Sequence, residues 1–520
     1  MIALAWVIFA AAILGLLLFS WFIVRYYQDS REAEALPTWI ATLGLLLALL
    51  CVFLIPVDIY SVSITVDSDG NQIENPDLIK SRGDNIAVIY YFLYSCVLAF
   101  AFGFIPFAYF YYEEADENVS VKERVWAGCK YTFFLVAIVV ILLIVGLIFF
   151  YVNPKDKPTN SQEAQDWAND FISRSNVAES SISFSVAILM TLGFLCWITY
   201  TAYGLSAFPI GIIKGHKHVT EDISQLQSDL ETTREKQREI KSKYLGGKKI
   251  SKKDESQINL LQRKEKVLSR HGQRLHESQS GWNKIWFAIK PFMFLFGILF
   301  LLVSLVLYAS ILLTNVDKAA NSGDFCGSKC GYIISHPKIF NPLDQMMTIL
   351  AAYFPVDYVF FTGLILYVFL ATLGGISKIG IRFLWLHMYK IRRGASPPQG
   401  MLIAVIILML SVLTLNFEIT TIAPQYASFG TQQYKDYNDN GTYTLKPCSL
   451  DAPQSNCTLT QVATFINRIS VRTNFFGILF FYATWVFLAF ALIGLAVAIF
   501  KAKPSNVEQR DSDSDSDEER

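Results

Sequence analysis

The sequence predicts an all-α polytopic membrane protein with about nine transmembrane helices, and three observations support this fold class. Apolar residues make up 53% of the 520 residues and charged residues only 17%, whereas soluble proteins carry about 25% charged residues. The apolar residues collect in nine runs, each long enough for a helix to cross the hydrocarbon core, which takes about 20 residues. The runs do not alternate with polar residues, so they are typical of helices and not of barrel strands.

The predicted spans follow one another from the first residues to about residue 500. Seven of them have no charged residue in their central part. No basic residue precedes the first run and Arg25 follows it, which indicates a retained helix with its N-terminus outside the cytosol. The fifth run stays apolar as far as Ile213, beyond Gly204 and Pro209, so we expect its cytosolic end to bend or lie flat. The nine runs are 2–24, 38–60, 86–111, 127–151, 182–204, 292–313, 356–377, 401–423 and 475–500.

Charge and composition divide the chain into four parts. Residues 1–213 form an N-terminal membrane region of five helices, 214–291 a charged cytosolic segment, 292–500 a second membrane region of four helices, and 501–520 an acidic tail. Basic and aromatic residues near 378–393 predict an amphipathic helix on the cytosolic leaflet. The tail cannot bury a core and is predicted to be disordered. Its serines suit acidophilic kinases, although a solubilising role is the commoner explanation for such runs.

The charged segment 214–291 has the pattern of a coiled-coil hairpin between the fifth and sixth membrane helices. Apolar residues fall on a heptad seam before and after Gly246-Gly247, which predicts two antiparallel helices that project into the cytosol. One interpretation is a docking element for another protein, and the alternative is a solvated spacer. The seam consists of Ile223, Leu226, Leu230, Thr233, Gln237, Ile240 and Tyr244, followed by Ile258, Leu261, Leu268 and Leu275.

Nine crossings that begin outside the cytosol leave the C-terminus inside it. The predicted cytosolic segments hold 32 basic residues and the opposite side holds 12, in agreement with the positive-inside rule. The long loop 214–290 alone contributes 18 of the 32, and without it the comparison is 14 against 12. Orientation therefore needs a second source of information.

Cysteines and glycosylation sequons give independent information on the orientation, because both collect in segments assigned to the non-cytosolic side. Four cysteines form two close pairs there, and disulfides persist in oxidising compartments. The disulfide candidates are Cys326, Cys330, Cys448 and Cys457, paired with their nearest neighbours, although strain in the tight 326–330 loop would leave those two thiols free. Sequons begin at Asn440 and Asn456 on this side, and a third at Asn118 on the cytosolic side should stay unused.

Sequence motifs for catalysis are missing from the chain. It contains no G-x-x-x-x-G-K-[ST] phosphate loop, no H-E-x-x-H zinc motif and no G-x-S-x-G nucleophile elbow. Neither cysteine pair has a histidine group that would complete a zinc site. Lys+Arg and Asp+Glu balance at 44 each, so charge indicates no nucleic-acid partner. We therefore expect neither an enzyme nor a resident metal.

Three acidic residues in or beside the predicted spans are candidate substrate-binding residues. Glu418 lies inside the eighth span, where a charge is costly, so it either contacts a proton or substrate, or it snorkels or is simply protonated. Asp58 ends the second span and Asp357 begins the seventh, each in a Pro-Val-Asp sequence at the predicted external face. Asp357 suits the positive end of a helix dipole, which is the structural explanation. The functional hypothesis is a carboxylate pair that lines one vestibule.

Several aromatic-rich segments give the sequence a specific resemblance that covers nearly the whole chain. They lie at 54–59, 105–114, 199–207 with 213–215, 389–394 and 423–426. In these segments the chain resembles the limb-region membrane protein family. Cys326, Cys330 and Glu418 are not features of that resemblance, so it implies no role for them.

The resemblance implies a multi-pass lysosomal membrane protein that is required for export of cobalamin (vitamin B12) from the lysosome to the cytosol. It also implies two partners, an ATP-binding cassette transporter of subfamily D and a cytosolic cobalamin-processing chaperone, with cobalamin as the transported ligand. As an alternative, some relatives act as lipocalin receptors or as adaptors for insulin-receptor internalisation, which would add a plasma-membrane location.

The polarity of the predicted spans favours an escort of the transporter over a pore. A corrinoid path needs polar side chains, and these are scarce in the nine runs. A chain without a nucleotide motor would also need a partner for uphill transport. The polar residues of the spans include Thr199, Tyr200, Thr201, Tyr203, Ser206, Asn416 and Glu418.

Overall fold

The structure is a computed structural model, and it divides into two compact units. The first unit consists of residues 1–208 and 303–495, and the second of residues 209–302 and 496–520. The structure describes residues 2–29, 34–67, 69–73, 75–114, 119–152, 177–215, 219–242, 244, 257–258, 261–262, 265, 283–324, 327–334, 337–351, 353–383, 386–437, 443–450, 452, 456–472 and 474–500.

Helices occur at all nine predicted runs, and this confirms the helical membrane fold. Eight helices in the described residues are long and apolar enough to cross a membrane, and the described side chains of the first helix form a shorter apolar helix at Ala11–Tyr27. The helices at the nine runs are α1 (Ile2–Tyr27), α2 (Ala35–Ser63), α3 (Pro76–Ala99) with α4 (Ile105–Glu113), α5 (Val121–Val152), α6 (Val177–Cys196) with α7 (Ala202–Lys214), α9 (Asn283–Asn321), α11 (Val356–Ile379), α12 (Pro398–Ile422) and α15 (Asn474–Phe500).

Two of the spans contain a π-helical turn that joins two α-helices. Phe100–Phe104 connects α3 to α4, and Trp197–Thr201 connects α6 to α7. Such turns interrupt the regular ladder of backbone hydrogen bonds and are common at functional sites. The fifth span remains helical through Pro209 to Lys214.

Helix α12 is the centre of the first unit. Within its most apolar window 89% of the residues are buried, and it packs against α2 and α6. A helix that is apolar on every side must be buried on every side. By contrast, only 6% of the corresponding window of α5 and 17% of that of α9 are buried, as expected for helices whose remaining surface faces lipid.

The predicted amphipathic helix near 378–393 is wrong, because this segment forms a β-hairpin. Helix α11 ends at Ile379, and Gly380 has a φ of 75°, in a region that glycine enters without steric cost. Strands β1 (Ile381–Phe383) and β2 (Leu386–Tyr389) then pair antiparallel. The composition of this segment, with basic and aromatic residues close together, therefore does not distinguish an amphipathic helix from a hairpin.

At the end of the first unit opposite to the β1–β2 hairpin, short elements connect the membrane helices. They are α10 (Pro342–Leu350), α13 (Pro424–Phe429), α14 (Gln461–Arg472) and the antiparallel strands β3 (Gln433–Tyr437) and β4 (Tyr443–Pro447). We call this the outer end of the unit, since it holds the segments predicted to lie outside the cytosol.

The second unit contains the first helix of the predicted coiled coil, α8 (Val219–Ser242). Thr233 and Gln237, which were assigned to the seam, are buried, as is Ile258. Arg234 Nε lies 2.7 Å from Glu265 Oε1, so the described part of the second arm contacts the first. The rest of that arm and the acidic tail lie outside the described residues, so the antiparallel coiled coil stays a prediction.

Candidate functional site

The outer end is organised by a buried asparagine at the start of α10. Asn341 Oδ1 accepts hydrogen bonds from the backbone N–H of Leu343 at 2.9 Å and of Asp344 at 3.1 Å, as expected of an N-cap residue. Its amide nitrogen donates to Thr314 Oγ1 at 2.9 Å and to the Ile422 carbonyl at 3.1 Å. One side chain therefore joins α10 to the outer ends of α9 and α12.

Asp58 holds the N-terminus of α14. Its side chain is 0% exposed, and its carboxylate accepts from the backbone N–H of Gln461 at 3.1 Å and of Val462 at 2.9 Å. The first N–H groups of a helix have no partner within the helix, and a negative charge there is stabilised by the helix dipole. Asp58 thus fastens α14 to the outer end of α2.

Asp344 and Asp357 hold α13 from two sides. Asp344 accepts from the backbone N–H of Gln425 at 3.1 Å and of Tyr426 at 3.0 Å. Tyr426 in turn donates through its hydroxyl to Asp357 Oδ2 at 2.9 Å. Burial, followed by the charge of Asp357, raises the pKa of Tyr426 far above its usual value, so the phenol remains a donor. Both carboxylates therefore have structural partners at this short helix.

We expect the full-length protein to be more stable at acidic pH through Asp344. Burial raises the pKa of Asp344 from 3.8 to about 7, against the opposing effect of its two backbone hydrogen bonds. The folded state therefore binds this proton more tightly than the unfolded state, and the associated stability is lost as the pH rises through about 7. Melting temperatures measured in detergent should fall between about pH 4 and pH 7, with a smaller fall for Asp344→Asn. The exposed Asp77→Asn is the matched control, and an unchanged pH dependence in Asp344→Asn would contradict the assignment.

A disulfide and a glutamine close the loop before α14. Cys448 and Cys457 are bonded, as predicted for the nearest-neighbour pair. Gln432 Nε2 donates to the Thr458 carbonyl at 2.7 Å, and its Oε1 accepts from the Thr458 N–H at 2.9 Å. Gln425 Nε2 also donates to the Cys448 carbonyl. These contacts tie α13, the β3–β4 hairpin and the start of α14 into one cap.

A cavity of about 750 Å³, which includes space open to solvent, lies beneath this cap. It is bordered by the outer ends of α9 and α12 and by α13 and α14. Apolar rings and polar groups share its wall, and this mixture is usual for small-molecule sites. The polar wall residues include Asp317, Lys318, Gln425, Asn467 and Ser470.

Glu418 lies deeper than the cavity, in α12. Its side chain is 0% exposed, Oε1 accepts from Thr484 Oγ1 at 2.7 Å, and Oε2 has no hydrogen-bond partner. Lys318, at the outer end of α9, interacts with it electrostatically and donates to Thr421 Oγ1 at 2.9 Å. The sequence prediction placed the end of this span at residue 313, so it missed Lys318 as a neighbour of Glu418.

The structure does not bring the three predicted acidic residues together at one described cavity. Asp58 and Asp357 are both buried, and they anchor different short helices. Their parent helices do meet at the outer end, where the rings of Tyr60 and Tyr358 lie 5.5 Å apart. None of the three carboxylates borders the described cavity, so a role in substrate binding stays a prediction.

Several other predicted residues fall outside the described part of the chain. These are the side chains of Cys326 and Cys330 and the sequon residue Asn440. Asn456 is described, and it lies in a turn beside the bonded Cys457. Within the ranges that the structure describes, no group of three or more His, Cys, Asp or Glu side chains is arranged to hold a metal ion.

Sequence reasoning also missed Asp344 and Asn341, which organise the cap. No motif marks either residue. The one available signal is the Asn-Pro sequence at 341–342, since Asn caps helices and Pro favours their first position.

Comparisons with known proteins match the chain over its full length. It is 44% identical to the "Probable lysosomal cobalamin transporter" of Dictyostelium discoideum, covering 99% of both chains. It is 34% identical to the "Lysosomal cobalamin transport escort protein LMBD1" of Gallus gallus, covering 98% of this chain and 96% of the relative. The protein of the same name from Homo sapiens is 35% identical, covering 100% of this chain and 97% of the relative. No solved structure matches.

The family comparison agrees with these relatives and with the resemblance found in the aromatic-rich segments. The description "LMBR1-like membrane protein" matches residues 5–290, which include the first five spans and the charged segment. Together with the helical fold and the full-length relatives, this match shows that the chain belongs to the LMBR1-like membrane protein family.

Proposed function

We propose that this protein takes part in the export of cobalamin from the lysosome to the cytosol. The observation that carries the proposal is the match to relatives named for lysosomal cobalamin transport, at 33% to 44% identity across essentially the entire chain. The shared fold alone would not be sufficient, because one fold supports many functions. Cobalamin is the transported ligand in this proposal, and the protein is not an enzyme.

Within that function, we propose an escort role for this chain and not a pore. The described core around α12 is filled by packed side chains, and the described cavity lies at the outer end. The sequence contains no phosphate loop, so the chain has no nucleotide-binding motif that would make it an ATP-driven transporter by itself. The proposed partners are an ATP-binding cassette transporter of subfamily D and a cytosolic cobalamin-processing chaperone.

We further propose that the segment 214–291 is the docking element for these partners. The contact between Arg234 and Glu265 joins two parts of this segment that lie 31 positions apart, which supports a hairpin. In the proposed orientation the N-terminus is luminal, while this hairpin and the C-terminus face the cytosol.

Deletion of residues 219–280 tests the docking role. We expect the deleted protein to insert in the membrane but to lose capture of the transporter from lysosomal membranes. Cells that carry only the deleted protein should retain cobalamin in their lysosomes. A matched control replaces the acidic tail 501–520 with a neutral linker and should keep the transporter. Unchanged capture after the deletion would contradict the docking role, and movement of cobalamin by the purified protein alone in liposomes would contradict the escort role.

The same experiment distinguishes the alternative class, an endocytic receptor or adaptor at the plasma membrane. In that case lysosomal cobalamin should be normal in cells that lack the chain, and internalisation of a surface receptor should be slower. The match to relatives named for cobalamin transport favours the first outcome.

Glycosylation tests the proposed orientation. We expect Asn440 and Asn456 to carry glycans, because the enzyme that attaches them acts on the luminal side of the membrane. Asn440→Gln and Asn456→Gln should each increase electrophoretic mobility by one glycan step, and endoglycosidase treatment should remove both steps. Asn118→Gln, in the predicted cytosolic segment 112–130, is the control and should change nothing. Absence of any glycan-dependent shift at 440 and 456, together with one at 118, would reverse the topology.

A further inference from the structure

The most unusual polar group in the described membrane helices is the Glu418 carboxyl. It is fully buried, and only one of its two oxygens has a hydrogen-bond partner, the Thr484 hydroxyl. Removing an ionised carboxylate from water costs several kcal/mol unless it is paired and hydrogen-bonded. An ionisable residue within a membrane span is therefore a candidate for a functional site. The free oxygen, Oε2, is the atom that needs an explanation.

Lys318 is close enough to influence Glu418 but does not satisfy Oε2. Its ammonium group donates to the neutral hydroxyl of Thr421 at 2.9 Å and lies 5.8 Å from the centroid of the Phe417 ring. The two side chains interact electrostatically, without an ion pair within 4.0 Å among the described contacts. The cation therefore partly compensates the carboxylate, and Oε2 remains available to a proton.

The outer cavity lies next to Glu418, which is itself not part of the cavity wall. Lys318, Phe417 and Thr420 all border the cavity, and Glu418 directly follows Phe417 in α12. Part of the enclosed space is open to solvent, so water on the outer side reaches the residues next to the carboxyl.

We propose that Glu418 is a proton-binding site that exchanges protons with the outer compartment through this cavity, with Lys318 as its counter-ion. A proton from water bonds to Oε2 of the ionised carboxylate and makes the carboxyl group neutral. The Glu418–Lys318 pair then changes from zero net charge to +1. The Lys318 ammonium loses its compensating charge at the wall of the cavity, so proton binding at one residue changes the electrostatic potential of the cavity.

Several other charged groups on the elements around α12 have partners of their own. Lys318 is the only charged group among the described residues that acts on Glu418. Among the others, Asp317 pairs with Asn321 and the Lys338 N–H, Asp58 with the Gln461 and Val462 N–H groups, Asp357 with Tyr426, and Arg468 with Tyr91.

Infrared difference spectroscopy on the purified full-length protein tests this proposal. As the outer pH is lowered, the wild type should gain the C=O stretching band of a protonated carboxylic acid. Glu418→Gln should lose this band, while Asp344→Asn should retain it and thus exclude Asp344 as its source. Glu418→Asp should shift the band position, which assigns the band even if Glu418→Gln folds poorly.

Lys318→Met tests the role of the counter-ion. Without the cation, ionisation of Glu418 is less favourable, so the midpoint of the titration should move to higher pH by about one unit or more. Lys318→Arg keeps the charge and should restore a midpoint near that of the wild type. The proposal is overturned if no Glu418-dependent band changes with pH, or if Lys318→Met leaves the midpoint unchanged. None of these readouts involves cobalamin, so they can fail while the proposed export function stands, and the reverse also holds.

Discussion

Gly375→Ala should strongly destabilise the packing of the first unit. A Cβ atom at Gly375 in α11 would collide with the carbonyl oxygen of Tyr200 and lie 2.9 Å from the carbonyl carbon. A Cβ at Gly204 in α7 would likewise collide with the carbonyl oxygen of Ala371. The two glycines therefore allow the backbones of neighbouring helices to touch, which is a common device in membrane helix packing.

Because the obstacle at Gly375 is backbone, it cannot be removed by a change of rotamer. Overpacking of a core by one or a few methyl groups costs about 1–3 kcal/mol, and we expect Gly375→Ala to reach or exceed the upper end of that range. The measurement is the yield of monodisperse full-length protein and its melting temperature in detergent. The neighbouring hydrogen bond between Thr201 Oγ1 and Thr372 Oγ1, at 2.9 Å, should also break as the helices separate.

Gly363→Ala is the matched control on the same helix. A Cβ at this position meets no atom within 4 Å. Replacing glycine by alanine inside a helix then stabilises it by about 0.5–1 kcal/mol. Equal melting temperatures for Gly375→Ala and Gly363→Ala would show that α7 and α11 are not in backbone contact.

Asp58→Ala should release α14 from the outer cap. The substitution leaves the partly buried N–H of Gln461 and the buried N–H of Val462 without their acceptor, at a cost of about 1–3 kcal/mol for the buried donor. It also removes the negative charge that stabilises the N-terminus of the helix. Hydrogen exchange of a peptide that covers 461–472 should accelerate strongly, and the abundance of the protein should fall.

Two controls separate the anchoring role from the transport role predicted from the sequence. Asp58→Asn retains an acceptor oxygen and should lose less stability than Asp58→Ala. Asp77→Asn removes an exposed carboxylate and should have little effect. If Asp58→Asn abolishes cobalamin export while exchange at 461–472 and abundance are unchanged, Asp58 acts directly on transport, as the vestibule hypothesis requires.

The membrane helices could be predicted from the sequence because each depends on a property of its own segment. A run such as 401–423 is long, apolar and nearly uncharged, and these features require a helix in lipid whatever its neighbours are. The Cys448–Cys457 bond could be predicted for a similar reason, since the two residues lie only nine positions apart.

The cap and its contacts could not be predicted in this way. Asp58 meets α14 across about 400 residues of chain, and no local pattern indicates that pairing. The segment near 378–393 shows the converse difficulty. Its composition fits an amphipathic helix as well as strands, and the antiparallel pairing of β1 with β2 in the folded chain distinguishes them.

The sequence by itself determined that this chain is a helical membrane protein, where its spans lie and which family it resembles. Only the tertiary structure decided that α12 is the centre, that α5 and α9 lie at the periphery, and that Lys318 stands beside Glu418. The physical reason is that lipid and protein interior are both apolar, so a central helix and a lipid-facing helix require similar sequences. A central helix and a lipid-facing helix differ in the neighbours that they contact, and these contacts exist only in the packed molecule.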